Sequence, residues 1–167
     1  MRFIIGGLVL NLIMNTSNFE TAYSKYADMI YRLALSYMKH KEDAEDIVQE
    51  VFTKYMCGFH LPISKEHEKA WFIRVAINQC HDALRKRNYR KYDSLEDAME
   101  VGIEQDDTMY DLFEALKALP EKYKDVVILH YLEGYSVEET AQILGVSISA
   151  IKMRLKRSRE FLKKELT

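Results

Sequence analysis

From Asn18 onward the apolar positions keep a helical period. Phe19, Tyr23, Tyr26, Ile30, Leu33 and Tyr37 fall at steps of three and four and predict one helix with a single apolar face. After a break at residues 39–41, Ala44, Ile47, Val48, Val51, Phe52 and Tyr55 repeat the pattern and predict a second helix. Gly58 and Pro62 punctuate a loop over residues 57–68. A third helix begins near Glu68, with Trp71, Val75, Cys80 and Leu84 expected on its inner side. Three helices with short connections predict a compact bundle.

The period lapses in the stretch DSLEDAMEVGIEQDD, which has few large apolar residues and reads as a linker over residues 93–107. It returns near Thr108, where Leu112, Ala115, Leu116 and Leu119 share a face. Pro120 suits the first position of the next helix, since its missing N–H has no intrahelical partner there. That helix carries Val126, Val127, Leu129 and Tyr131 and ends at Gly134. Ser136 and Glu139 then stand three apart, as a capping box requires. They open a short helix, Val137–Leu144, with Ala141 and Leu144 facing inward. Gly145 fits a turn that needs a left-handed residue, and Ser147 caps a last helix running to about Leu166. Ala141, Gly145 and Ile151 have the offsets of a helix-turn-helix: a small residue at the helix contact, glycine in the turn, an aliphatic residue in the core. The fold expected is all-α, with a three-helix bundle over residues 16–92 and a helix-turn-helix domain over residues 108–167.

Residues 1–15 stand apart. The apolar run from Phe3 to Met14 spans only about 18 Å as a helix, against a hydrocarbon core of about 30 Å. Gly6, Gly7 and Asn11 interrupt it, and no small-x-small cleavage site follows. Met14 is a candidate natural start; a short membrane-seeking or packing arm is the alternative.

Net charge is only −2, but the charges lie in blocks. Residues 74–91 hold six basic side chains and one acid, Asp82. Residues 93–114 hold nine acids and no Lys or Arg, and residues 150–167 hold seven basic side chains and two acids. Two cationic helices flanking an anionic strap point to a polyanion partner. The last helix turns Ser149, Lys152, Met153, Lys156, Arg157 and Arg159 outward, where a major groove would meet them. The scarcity of turn formers, 6 Gly and 2 Pro in 167 residues, excludes a many-stranded sandwich. Two cysteines, Cys57 and Cys80, cannot build a disulfide framework and fit a reduced, cytoplasmic setting. A zinc quartet of Cys57, His60, Cys80 and His81 lacks any recognised ligand spacing. None of the five histidines follows a Glu by three residues, as a di-iron bundle needs. No nucleophile–base motif suggests an enzyme.

Three stretches together resemble bacterial extracytoplasmic-function sigma factors: DAEDIVQEVF (Asp43–Phe52), WFIRVAINQCHDALRKR (Trp71–Arg87) and the segment from Leu119 to Leu166. The resemblance covers the chain from about Phe19 to Leu166. It implies a transcription initiation factor with no catalysis, cofactor or small-molecule substrate of its own. The first stretch is similar to the helix that docks on the clamp helices of the largest catalytic subunit of RNA polymerase, and implies Asp46, Gln49 and Glu50 as core-binding residues. The second is similar to the promoter-melting helix. It implies Trp71, Arg74, Asn78, Arg85, Lys86 and Arg87 as contacts to the −10 element, with core packing as the other role open to Trp71. The third implies −35 contacts from Ser149, Lys152, Met153, Lys156 and Arg157, with Ser147, Arg154 and Arg159 on phosphates. The resemblance further implies polymerase core, promoter DNA and an anti-sigma factor as partners. It implies a cytoplasmic location, with tethering at the membrane through the anti-sigma factor as a variant. A polymerase-independent helix-turn-helix regulator is the rival reading.

Overall fold

The computed structural model describes residues 2–58, 64, 67–91 and 114–165, and side chains over 18–58, 64, 67–87 and 114–164. The strap over residues 93–107 and His60 lie outside them. Among the described residues all regular structure is helical. In order, these are α1 (Arg2–Tyr37), α2 (Lys41–Met56), α3 (Glu68–Lys91), α4 (114–118), α5 (Glu121–Val127), α6 (Val137–Leu144) and α7 (Ile148–Glu165). The backbone of α1 is continuous from Arg2, so the helix starts well before the expected Asn18.

α1, α2 and α3 form the first bundle. Tyr26, Ile30, Leu33 and Tyr37 of α1 meet Ala44, Ile47, Val48, Val51 and Phe52 of α2, as the periods predict. The inner face of α3 departs from expectation. It is Phe72, Ile73, Ala76, Ile77 and Cys80 that are buried, while Trp71, Val75 and Leu84 sit half-buried at its margins. Six of the seven residues from Trp71 to Ile77 are apolar, so apolar spacing alone does not mark the face. The exposed Arg74 and Asn78 mark it instead. Phe72 is the hub: its ring lies 4.7 Å from Tyr26, 5.0 Å from Tyr55, 5.0 Å from Trp71 and 5.2 Å from Phe52, centroid to centroid.

The second half is built around the helix that starts after Pro120. Pro120 sits one residue earlier than expected, at the N-cap. α5 passes into a π-helical turn at Ile128–Leu132, where the Glu133 N–H donates to the Ile128 carbonyl at 2.9 Å. Six consecutive residues, from Lys124 to Leu129, are buried, which no amphipathic helix on a single core allows. The four apolar ones serve three clusters. Val126 packs with Ala141, Ile151 and Leu155, and Val127 packs with Leu116 and Leu119, against Phe161 and Leu162. Ile128 and Leu129 join Ile143 in the core of the first bundle. The π turn leaves Tyr131 and Leu132 about half exposed.

The two halves therefore share one apolar cluster and close on each other. Asp125 is the polar centre of the contact. Its Oδ1 accepts from the Tyr37 hydroxyl at 2.6 Å and lies 3.1 Å from His81 Nε2. Lys124 Nζ donates to the Ser36 carbonyl at 2.7 Å, and Lys69 pairs with Glu133 at 2.8 Å.

Candidate polymerase and nucleic-acid interfaces

α2 buries one side and offers the other. Asp46, Gln49 and Glu50 are all exposed, opposite the buried Ala44, Ile47, Val48 and Val51. Asp46 and Glu50 stand one turn apart and Gln49 lies beside them, so the helix presents the three as one surface. Carboxylates on a rigid helix suit an arginine-rich partner, because the bidentate pair orients as well as attracts.

α3 divides the second group of candidates. Trp71, Arg74, Asn78 and Arg85 follow one stripe at helical spacing. Arg74, Asn78 and Arg85 are exposed, and Arg85 pairs with Asp82 on its own helix. Trp71 packs edge-on against Phe72 and lies 5.8 Å from the Tyr55 ring, so it anchors the bundle while keeping an exposed margin. Lys86 and Arg87 turn away from that stripe toward α2. They line a cavity with Asp43 and Asp46, and Arg87 Nη1 lies 3.4 Å from Asp43 Oδ2. The basic end of α3 is thus partly neutralised by the acids of α2.

The capping box that starts α6 and the glycine turn that ends it form as the sequence signals predict. The Ser136 N–H donates to Glu139 Oε2 at 2.8 Å and the Glu139 N–H donates to Ser136 Oγ at 3.1 Å. The bond from the Ser136 N–H holds the Glu139 carboxyl below its ordinary value. Gly145 ends α6 at φ +67°, in the left-handed region where a Cβ is unfavourable. Ser147 caps α7 by accepting the Ala150 N–H at 3.2 Å, and its hydroxyl lies 3.0 Å from that of Ser149.

On α7 the helical spacing gathers Ser149, Lys152, Met153 and Lys156 into one exposed stripe. Arg157 and Arg159 flank it on opposite sides. The Arg157 guanidinium is tied to α5 through a 3.4 Å bond to the Tyr123 hydroxyl, which it holds below its ordinary pKa. Arg154 is not part of that stripe. It is half-buried and lines a cavity with Arg74 and Asn78 of α3.

The residues that sequence reasoning missed are those between the halves: Tyr37, His81, Lys124 and Asp125. The bond to Asp125 raises the His81 pKa, with burial opposing it. Burial pushes the Tyr37 phenol well above its ordinary value, so it remains a donor. Burial lowers the Lys124 ammonium to about 8. The available signal was the run KDVVIL, too long for one apolar face if buried throughout.

Among the described residues no three His, Cys, Asp or Glu side chains gather to hold a metal ion, and no helix is long and apolar enough to cross a membrane. Cys57 is exposed and Cys80 buried.

Comparison with known proteins agrees with both halves. The Sigma-70 region 2 family model matches residues 22–90, and the Sigma-70 region 4 model matches residues 110–162. The chain is 34% identical over 149 residues to RNA polymerase sigma factor SigV of Bacillus subtilis (strain 168), covering 88% of this chain and 90% of that one. It is 30% identical over 155 residues to ECF RNA polymerase sigma factor SigM of the same organism, covering 86% and 92%. Among solved structures it is similar to the sigma factor RpoE, crystallised with the anti-sigma factor NepR from Bartonella quintana. That match has a TM-score of 0.71 and 26% identity, and covers 89% of this chain and 96% of that one. With both sigma regions matched in order, and relatives aligned along nearly their whole length, the chain belongs to the extracytoplasmic-function family of RNA polymerase sigma factors.

Proposed function

We infer that this chain directs bacterial RNA polymerase core to promoters and starts transcription there, leaving all covalent chemistry to the polymerase. The observation that carries the reading is the joint match to regions 2 and 4 across a chain whose two helical halves each expose a surface suited to a macromolecule.

Within that function, residues 16–92 act as the core-binding and −10 unit, residues 93–107 as an acidic linker, and residues 108–167 as the −35 unit. Asp46, Gln49 and Glu50 meet the clamp helices of the largest catalytic subunit. Arg74, Asn78 and Arg85 hold the opened strand, supported by Trp71, since amides receive a flipped base and cations its phosphates. Lys86 and Arg87 join them once released from the α2 carboxylates. Ser149, Lys152, Met153 and Lys156 meet the −35 groove, with Arg157 at its edge and Ser147, Arg154 and Arg159 on phosphates. An anti-sigma factor is the expected silencer, a role supported by the RpoE–NepR complex. The working location is the cytoplasm.

Run-off transcription tests the reading. Core polymerase plus this chain should give discrete start sites that core alone does not. A strong sequence-specific footprint without core, together with no transcripts in its presence, would favour the free-standing regulator.

A further inference from the structure

We propose that the cleft between the end of α1, the end of α3 and the start of α5 is a binding site for a small oligophosphate of the nucleoside triphosphate kind. The site is independent of the promoter-reading roles proposed above, although Arg87 belongs to both. The cleft has a volume of about 620 Å³, within the range of small-molecule sites. Lys39, Arg87, Lys117, Lys122 and Lys124 line it against one acid, Glu121. These cations come from three separate stretches of a chain whose net charge is −2. Gathering them costs self-repulsion, and their own partners offset it poorly. Arg87 approaches Asp43 only to 3.4 Å, and Lys117 pairs with the exposed Glu114 of its own helix. Lys122 lies over the Tyr123 ring at 5.0 Å from its centroid. Lys124 is 3% exposed, and its Nζ donates to a neutral acceptor, the Ser36 carbonyl. Burial lowers the pKa of Lys124 to about 8 and Lys117 acts in the same direction, so the ammonium gains from a nearby negative charge.

The lining selects the class of ligand. A single carboxylate or orthophosphate cannot meet cations spread around a whole cleft, whereas a chain of phosphates presents several negative groups at once. Arg87 offers the planar fork that matches phosphate oxygens, and the lysines offer mobile point charges. Leu84, Leu119 and Pro120 supply an apolar stretch of the wall, the kind of surface on which the uncharged part of such a ligand rests. A ligand held here bridges α1 and α3 to α5 and so stabilises the folded chain by mass action.

Calorimetric titration of the full chain, at neutral pH and fixed ionic strength, tests the site with orthophosphate, inorganic triphosphate and ATP. Triphosphate and ATP should each bind once per chain and raise the thermal midpoint, with orthophosphate at least about tenfold weaker. Tighter binding of ATP than of triphosphate assigns the nucleotide as the source and the apolar wall as its seat; equal affinity assigns the phosphate chain alone. Lys39→Glu and Lys122→Glu change exposed positions and should each weaken binding about tenfold while circular dichroism stays unchanged. Lys25→Glu makes the same charge change about 18 Å back along α1 from Tyr37 and should leave affinity within about twofold. Equal weakening by all three variants overturns the cleft in favour of general charge attraction. No binding of triphosphate or ATP at about 1 mM overturns the proposal. Binding that emerges only when the acids of residues 93–107 are made amides assigns the cleft to the chain's own strap and overturns a free ligand. A short DNA single strand that binds more tightly than triphosphate, with the same loss in Lys39→Glu and Lys122→Glu, overturns the small-ligand assignment in favour of nucleic acid.

Discussion

Phe72 centres the core of the first bundle, and His81 is one of the two partners of Asp125 where the halves meet. Phe72 is fully buried among four rings. Phe72→Ala should cost about 3–5 kcal/mol in chemical unfolding, because the neighbouring rings collapse only partly into the space left. His81 makes the closure pH-dependent. It faces Asp125 and Glu121, which favour its charged form, and Arg85, which opposes it. Its folded pKa is raised above the ordinary 6.5, so its stabilisation is complete below that value and is lost as pH rises through the folded value. Lys124 runs the other way in a higher window. Its pKa falls from 10.5 to about 8, so the penalty for burying its charge is relieved between those values as pH rises. Thermal unfolding from pH 5.5 to 7.5 should show wild type losing its advantage over His81→Ala, and parallel curves would contradict this. Such residues were invisible in the sequence because a Lys-Asp pair reads as surface until a second unit covers it.

Among the elements, legibility followed how cleanly polar residues separate the apolar ones. α2 was predicted with its buried face because Glu45, Asp46, Gln49 and Glu50 interrupt Ala44, Ile47, Val48 and Val51 at helical spacing. α6 was predicted to the residue because its start and stop are both local chemistry, a capping box and a positive-φ glycine. α3 was misjudged by part of a turn, since nearly every residue from Trp71 to Ile77 is apolar. The π turn was missed because a fixed 3.6 period cannot describe it. Element-level predictions follow from exposure. Asp46→Arg with Glu50→Arg should abolish co-purification with polymerase core while circular dichroism stays unchanged. Arg157→Ala should relax selectivity at one −35 position by about 1–3 kcal/mol. Arg159→Ala should weaken all promoters alike and lower the salt slope by about one. Equal loss of selectivity from both arginine variants in a binding titration would contradict their different placement on α7. Ser136→Ala should lower helix-turn-helix stability by about 1 kcal/mol, read from the unfolding midpoint.

For the whole molecule, the sequence supported two cationic helical units and an anionic strap. It did not indicate how the units sit together. Ile128, Leu129 and Ile143 look like ordinary core residues of the second half, and only the structure assigns them to the first. The groups that join the halves lie beside Arg74 and Asn78, two side chains proposed above to meet the promoter. The central claim is that this chain confers promoter choice on a polymerase that lacks it. Start-site sequencing of run-off transcripts, made by core polymerase with and without the chain on a genomic template library, tests it most directly. The account predicts a small set of new start sites sharing elements near −10 and −35, present only with the chain and lost with the Asp46→Arg, Glu50→Arg variant. An unchanged set of start sites on adding the wild-type chain would contradict it.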